Sequence, residues 1–207
     1  MKIDARQTLL EACVNMGVNV DAADGRTLLQ EAIYRDKFEI AEKLLRLGAI
    51  PDLCGWDTEE TPLCTAVTEK NERMVSLLLE NGADPDAGRY EDSSTPLTKA
   101  VKTGAPHIVK LLLAAKADVH ADEDAALKVA VSNGQIQAVR LLLHNGADPN
   151  SADLVSACYN DYEGIVRDLV AAGALPDHSI NSDDADAYCS WYLLKRKLLG
   201  PDVESTG

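Results

Sequence analysis

Aromatic residues and basic charge are both scarce in this sequence of 207 residues. One Phe, two Trp and six Tyr supply all of its aromatic side chains, so the core must be built from aliphatic and small residues. The 20 basic residues are outnumbered by 34 acidic ones, which gives a net charge of −14. Nucleic acids and anionic membranes need a basic face on the protein, so we expect neither as a partner.

Long apolar runs and paired cysteines are also missing. No stretch approaches the ~18 consecutive apolar residues of a membrane-spanning helix. The first residues contain no apolar run of signal-peptide length, so we expect a cytoplasmic protein. The five cysteines form no Cys-x-x-Cys motif, which favours reduced, mostly buried thiols over a zinc or redox site.

Motifs that carry catalysis are absent as well. The four histidines form no His-Glu-x-x-His or other metal-ligand pair, and no P-loop, dinucleotide fingerprint or Gly-x-Ser-x-Gly motif occurs. Cys64 stands at a predicted helix start, where a lowered pKa is conceivable, although a buried position explains it better. We therefore predict no enzyme activity, no metal and no cofactor.

The sequence contains instead an internal repeat of two phrases. The first reads Leu-Leu-x-x-Gly-Ala and occurs at 44–52, 78–86, 142–150 and 169–177. A worn copy at 112–120 has Lys116 in place of the glycine. The second phrase precedes the first, as in Thr61-Pro-Leu-Cys-Thr-Ala66 and Thr95-Pro-Leu-Thr-Lys-Ala100. Such regular recurrence predicts a stack of similar structural units.

Each unit has the signals of two successive helices. Thr61 can cap a helix N-terminus, and Pro62 suits the first helical position, where no N–H partner is needed. Leu63, Ala66 and Val67 share one helical face, and a second helix follows up to Gly82, a residue type that commonly ends helices. One such pair cannot bury its apolar stripe alone, so neighbouring pairs must stack.

These two phrases resemble those of the ankyrin repeat family over about residues 5–177. The resemblance implies an all-α solenoid of about five helix pairs with hairpin fingers on one side. The histidine usual after Thr-Pro-Leu is missing, because Gln30, Cys64, Thr98, Lys128 and Val155 occupy that position. The inter-repeat hydrogen bond made by that imidazole therefore lacks its usual donor.

We predict a single domain over residues 1–200, followed by a flexible tail at 201–207. Its parts are an N-terminal cap half repeat at 1–23, repeats at 24–57, 58–91, 92–121 and 122–150, a degenerate repeat at 151–180 and a helix at 183–199. Acidic residues at the start of that last helix and basic residues at its end suit the helix dipole. It either caps the last repeat or docks a partner.

The predicted fingers carry most of the acidic charge. Residues 18–26, 49–60, 83–94, 117–124, 147–153 and 174–186 hold 20 acidic and two basic residues, a net charge of −18. Turns explain part of this charge. The acids that a turn does not require include Asp57, Glu59, Glu60, Glu91, Asp92 and Asp124. Aligned fingers would form an acidic ridge that either attracts a basic protein or keeps the chain soluble.

Two further groups of residues are candidate contacts. Trp56 and Tyr90 lie in the two longest fingers, where each ring is either a binding anchor or packs onto the neighbouring finger. By family position, the concave face would present the ends of the first helices: Tyr34, Arg35, Thr68, Glu69, Lys102, Thr103, Ser132, Asn133, Tyr159 and Asn160. The alternative is that these are solvated helix ends. Arg26 of the first finger is a further candidate contact.

Together these patterns predict a monomeric, non-enzymatic module that binds a basic protein partner through its fingers and concave face. One alternative is an inhibitor or immunity-type protein that covers the active surface of a toxin or enzyme. A second alternative is a scaffold that joins two partners without inhibiting either. An enzyme with an unrecognised site and a structural oligomer are the remaining classes.

Overall fold

The computed structural model describes residues 21, 23–55, 60–88 and 94–174. The predicted helix at 183–199, the tail at 201–207 and nearly all of the half repeat at 1–23 lie outside the described residues. The chain forms two compact units, residues 1–118 and residues 119–207. No helix among the described residues has both the length and the apolar character needed to cross a membrane.

The first unit contains three pairs of helices in its described residues. The pairs are α1 (Leu28–Tyr34) with α2 (Phe38–Arg46), α3 (Pro62–Thr68) with α4 (Glu72–Glu80), and α5 (Pro96–Lys102) with α6 (Pro106–Ala114). The two helices of each pair pack together, α3 packs between α1 and α5, and α4 packs against α6. Stacking buries the apolar stripe that one pair would leave exposed.

A threonine begins the first helix of each of these pairs. The Thr61 hydroxyl accepts the backbone N–H of Cys64 at 3.2 Å, and Pro62 occupies the first helical turn. Thr27 and Thr95 cap α1 and α5 in the same way. Each cap satisfies one N–H that the helix itself leaves without an acceptor and contributes about 1 kcal/mol. The predicted role of the Thr-Pro-Leu phrase is thereby confirmed.

The second helices of the first unit end at residues with a left-handed backbone. Gly82 follows α4 with φ +85° and has no side chain to strain this conformation. Lys116 follows α6 and adopts φ +72° although it carries a full side chain. The helix therefore ends in the same way where the glycine is missing, at a conformational cost that a glycine would avoid.

Alanines allow the first helices to pack closely. Ala32, Ala66 and Ala100 occupy equivalent places in α1, α3 and α5 and are completely buried. Large aliphatic side chains such as Leu44 and Leu78 of the second helices fill the rest of the core. This small-and-large pattern gives a closely packed interior without aromatic residues, as the composition predicts.

The first finger is a short hairpin held against the second. Ala23–Asp24 (β1) pairs antiparallel with Arg26–Thr27 (β2) around Gly25. A Cβ atom placed on Gly55 of the next finger would lie 1.9 Å from the Gly25 carbonyl oxygen. Only a glycine therefore fits at residue 55 without moving the backbone of one finger.

The second unit contains two further helix pairs in its described residues. They are α7 (Ala121–Ser132) with α8 (Ile136–His144) and α9 (Leu154–Tyr159) with α10 (Glu163–Ala171), and a 3-10 turn at Pro149–Ser151 separates them. Arg140 Nε lies 2.7 Å from Asp168 Oδ2 and ties α8 to α10. The described residues thus hold five helix pairs, and the predicted all-α class is confirmed, with two-residue strands only at the first finger.

Candidate functional site

Several finger carboxylates hold neighbouring fingers together. Asp21 accepts the Ile50 N–H at 3.0 Å, and Asp52 accepts the Asp84 N–H at 3.1 Å. Asp86 repeats the contact with the Asp118 N–H at 2.7 Å. These aspartates occupy the positions that the sequence assigns to turns, and the structure gives them an additional role as links between successive fingers.

Two of these linking carboxylates have raised pKa values. Burial is the main cause of the raised pKa of Asp52, and the nearby charge of Asp84 adds to it, while the Asp84 N–H acts in the opposite direction. The pKa of Asp86 is raised for the same reasons, with Asp84 and Asp118 as the neighbouring charges. Keeping Asp52 and Asp86 charged therefore costs free energy in the folded first unit. Both carboxylates serve to hold neighbouring fingers together.

Asp124 differs from the exposed finger acid that we predict from the sequence. The residue is 7% exposed, and its Oδ1 lies 3.0 Å from His120 Nδ1 and 3.3 Å from the Asp148 backbone nitrogen. Residues Asp122, Glu123 and Asp124 form a left-handed turn at the start of α7. This position argues against direct partner contact by Asp124, whereas Asp122 and Glu123 are exposed.

Glu60 is also part of an internal network. Its side chain pairs with Lys99 of the following repeat, and its backbone carbonyl accepts the Gln30 amide at 2.7 Å. The Gln30 side-chain oxygen accepts the N–H groups of Thr27 and Gly55 at 3.0 Å and 2.9 Å. Gln30 therefore supplies an inter-repeat hydrogen bond at the position where the family usually has histidine.

A small cavity of about 110 Å³ lies between α1 and α3. Five of its lining residues belong to the predicted contact set and two do not; they are Arg26, Gln30, Tyr34, Glu60, Thr65, Thr68 and Glu69. Ligand sites for drug-sized molecules occupy about 300–1,000 Å³. The cavity is therefore sized for a single side chain and not for a nucleotide or other large cofactor.

Tyr34 and Arg26 form one wall of this cavity. Tyr34 is 53% exposed, which makes it one of the large exposed hydrophobic residues in the described part of the chain. The Arg26 guanidinium lies 4.3 Å from the centre of the Tyr34 ring and 3.9 Å from Glu31. Glu31 also pairs with Arg35, the residue that follows α1. These contacts hold the tyrosine ring at the surface, where a partner can reach it.

The remaining helix-end residues of the predicted contact set are placed as follows. Lys102 is exposed in unit 1 with its Nζ 3.5 Å from Ser94 Oγ, and Thr103 is half-buried after α5. In unit 2, Ser132, Asn133 and Asn160 are exposed. Tyr159 ends α9. Among the described residues of the predicted contact set, Arg26, Tyr34, Glu60, Thr68 and Glu69 are gathered around one cavity.

The predicted finger residues Trp56, Asp57, Glu59, Tyr90, Glu91 and Asp92 lie outside the described residues. Their roles as aromatic anchors and acidic contacts therefore stay predictions. The repeat boundaries also stay predictions, although each of the five predicted repeats contains one of the helix pairs.

The cysteines of the described residues are not activated. Cys64 is completely buried, and burial raises its pKa against the smaller lowering effects of Thr61 and Lys99. Burial also raises the pKa of Cys54 and of Cys158. The buried position that the sequence favours for Cys64 therefore fits better than an activated thiol, because loss of solvent raises its pKa by more than Thr61 and Lys99 lower it. Within the described segments, no group of three His, Cys, Asp or Glu side chains is placed to hold a metal ion.

Sequence reasoning missed Gln30, Thr65 and Lys99. The signal for Gln30 was available, because it replaces the family's histidine at a position known to bridge repeats. Thr65 follows the repeat pattern without any departure that would mark it. Lys99 lies 39 residues from Glu60, so only the folded chain shows that these two charges meet.

The paired helices, their threonine caps and the linked fingers define a repeat protein. The family model for ankyrin repeats in three copies matches residues 2–89 and again residues 86–153. The chain therefore belongs to the ankyrin repeat family. Members of this family bind other proteins, so the chain is a protein–protein interaction module, a type of domain that typically has no enzyme activity.

One relative is human protein phosphatase 1 regulatory subunit 27. The two sequences are 35% identical over 94 residues, which is 42% of this chain and 55% of the relative. The chain thus matches about half the length of this relative.

Solved ankyrin repeat domains have the same fold. A domain from Acinetobacter baumannii aligns with a TM-score of 0.71 and 27% identity over 82% of this chain and 100% of that one. The Bcl-3 domain, from the IkappaB protein family, aligns at 0.69 and 28% over 83% and 81%. The human ASB11 domain aligns at 0.68 and 23% over 96% and 95%, a likeness of fold alone.

Proposed function

We propose that this chain is a non-catalytic binding subunit that holds a protein partner on the surface around the cavity of the first unit. The observation that carries this proposal is the grouping of Arg26, Tyr34, Glu60, Thr68 and Glu69 around one cavity. These residues come from two successive repeats, and an exposed aromatic ring lies among them. Exposed aromatic side chains beside a pocket are frequent energetic centres of protein interfaces.

The proposed partner has a basic surface. The net charge of −14 would accelerate the approach of such a partner, and salt would weaken the attraction. Solubility alone would also account for acidic fingers, and Asp52 and Asp86 serve finger structure. The salt dependence of binding therefore decides between the two explanations. We expect neither nucleic acids nor membranes among the partners. The monomeric state and the cytoplasmic location stay predictions.

Regulation of an enzyme is the role that we propose for this binding. The relative named as a regulatory subunit of protein phosphatase 1 supports a regulatory role over an inert one. Covering an enzyme's active surface would make the chain an inhibitor, as in an immunity protein. A scaffold that joins two proteins is the competing role, and it predicts that the activity of a bound partner does not change.

Affinity capture from the lysate of the source cells tests the proposal. The bait is the full chain, as wild type, as Tyr34→Ala and as the control Ile50→Ala. Ile50 is 52% exposed, close to the value for Tyr34, but it does not line the cavity. Loss of a central interface aromatic typically costs ~2 kcal/mol or more, so Tyr34→Ala should reduce capture at least about tenfold.

The expected result is a basic protein retained by wild type and Ile50→Ala, lost with Tyr34→Ala and weakened by moderate salt. Equal capture by wild type and Tyr34→Ala would contradict the proposed surface. The enzyme activity of the captured protein, measured with and without this chain, then separates an inhibitor from a scaffold.

A further inference from the structure

Two threonine hydroxyls that line the cavity can act only as acceptors toward a ligand. The Thr65 hydroxyl donates to the Thr61 carbonyl at 3.3 Å, and the Thr68 hydroxyl donates to the Cys64 carbonyl at 3.0 Å. Each hydroxyl has one proton, which these bonds use, so each oxygen can only accept from anything in the cavity. These two residues of α3 can therefore bind a ligand that donates hydrogen bonds to them.

The charged side chains around the cavity differ in whether another residue already pairs with them. Arg26 is held over the Tyr34 ring and lies near Glu31. Glu60 is paired with Lys99. Glu69 is exposed at the end of α3 and makes no ion pair with the described residues. Among the described residues, no cation therefore pairs with the Glu69 carboxylate on the cavity wall.

An anionic ligand does not suit this arrangement. It would meet the carboxylates of Glu60 and Glu69 and two threonine oxygens that cannot donate, while Arg26 is the one cation among the described residues that line the cavity. A cationic group satisfies the same acceptors, because ammonium and guanidinium groups donate several hydrogen bonds and accept none.

We propose that this cavity receives the charged end of one lysine or arginine side chain of the partner, which deepens the function proposed above and rests on it. The volume of about 110 Å³ admits one side chain. Glu69 binds the charge, the oxygens of Thr65 and Thr68 accept further N–H groups, and the Tyr34 ring covers the aliphatic part of the side chain.

Peptide binding to the full chain tests this assignment directly. The probes are three acetylated, amidated five-residue peptides that differ only at the central position, GSRSG, GSKSG and GSQSG. NMR signals of Thr65 and Thr68 report binding, with a dissociation constant on the order of 1 mM for the cationic peptides. The uncharged glutamine peptide should leave these signals in place.

The variants are Glu69→Gln, which removes the charge and keeps the shape, and Thr68→Val, which removes one acceptor. Glu80→Gln is the matched control, because Glu80 is exposed on α4, loses the same charge and does not line the cavity. Glu69→Gln should weaken the cationic peptides about threefold to tenfold, and Glu80→Gln should not. A similar affinity of Glu69→Gln and Glu80→Gln would overturn the proposal.

The same variants used as bait separate this assignment from the broader function. Selective loss of the cationic peptides and of partner capture with Glu69→Gln supports both proposals. Binding of the glutamine peptide as strong as that of the arginine peptide, or no binding of any peptide, overturns the assignment of the cavity. In that case capture that still depends on Tyr34 leaves the proposed function standing, whereas capture independent of Tyr34 overturns the proposed function itself.

Discussion

Replacing Gln30 with methionine should destabilise the first unit by more than is usual for a residue on a short helix. Gln30 is 1% exposed, and its amide joins Thr27, Gly55 and Glu60 through three hydrogen bonds of 2.7–3.0 Å. Methionine fills a similar volume but cannot make these bonds. The substitution therefore tests the hydrogen bonds and not the packing.

The size of the effect follows from where the three partners lie. Thr27 and Gly55 are buried, so water cannot replace the lost acceptor of their N–H groups. A buried donor left without an acceptor costs about 1–3 kcal/mol. The Glu60 carbonyl belongs to a half-buried residue that water can reach, so its loss adds little. We expect a decrease of about 3 kcal/mol in the free energy of unfolding, which lowers Tm by roughly 6–12 °C.

Thermal and urea unfolding followed by circular dichroism measure this change. Hydrogen exchange of the Gly55 amide should accelerate, because its acceptor is lost. The control is Thr98→Val at the equivalent position of α5, where the buried hydroxyl accepts the Thr95 hydroxyl at 3.2 Å. That change should cost less than about 1 kcal/mol. A loss for Gln30→Met no larger than for Thr98→Val would refute the reasoning.

Two further predictions concern the fingers and helix ends of the first unit. Asp52 has a raised pKa in the folded state, so its protonated form stabilises the fold at low pH and this contribution is lost as pH rises through the folded pKa. Asp52→Asn keeps the acceptor for the Asp84 N–H and removes the charge. It should therefore raise the free energy of unfolding at pH 7 by about 0.5 kcal/mol or less. It should also make the free energy of unfolding less dependent on pH between about pH 4 and 7. Lys116→Gly should raise stability by about 0.5–1 kcal/mol, because glycine adopts the observed φ of +72° without strain.

Each of these changes has an outcome that would contradict it. A steeper pH dependence for Asp52→Asn in urea unfolding would show that the charged form is stabilising. The control for Lys116→Gly is Lys110→Gly in the middle of α6, which should lower stability by about 1 kcal/mol. If Lys116→Gly and Lys110→Gly changed the stability in the same direction in thermal unfolding, the backbone at residue 116 would carry no strain.

Local signals in the sequence were enough to predict the helix pairs. Thr61, Pro62 and Gly82 act within one or two turns of the chain, so their effects on helix ends do not depend on distant residues. The spacing of the two phrases then indicated the stacking of the pairs. Even the departure at Lys116 changed the residue and not the backbone conformation, and the Ala117 N–H still donates to the Leu112 carbonyl at 3.0 Å, as the Ala83 N–H does to Leu78.

The candidate site was predictable only in part. The family position of Tyr34, Thr68 and Glu69 placed them near one surface, and in the structure they line one cavity. Their role in partner binding stays a prediction. The charges were harder to interpret, because the use of a carboxylate depends on what it meets in space. Asp124 and Glu60 were grouped with free finger acids, yet one is buried against His120 and the other pairs with Lys99.

The sequence by itself determined the repeat, the helix starts and ends and the acidic character of the fingers, because those properties depend on residue type and on neighbours within a few positions. Only the tertiary structure decided which acids link neighbouring fingers or repeats and where an exposed ring lies beside a carboxylate. Those properties depend on residues about 25–40 positions apart that meet only when the helix pairs stack.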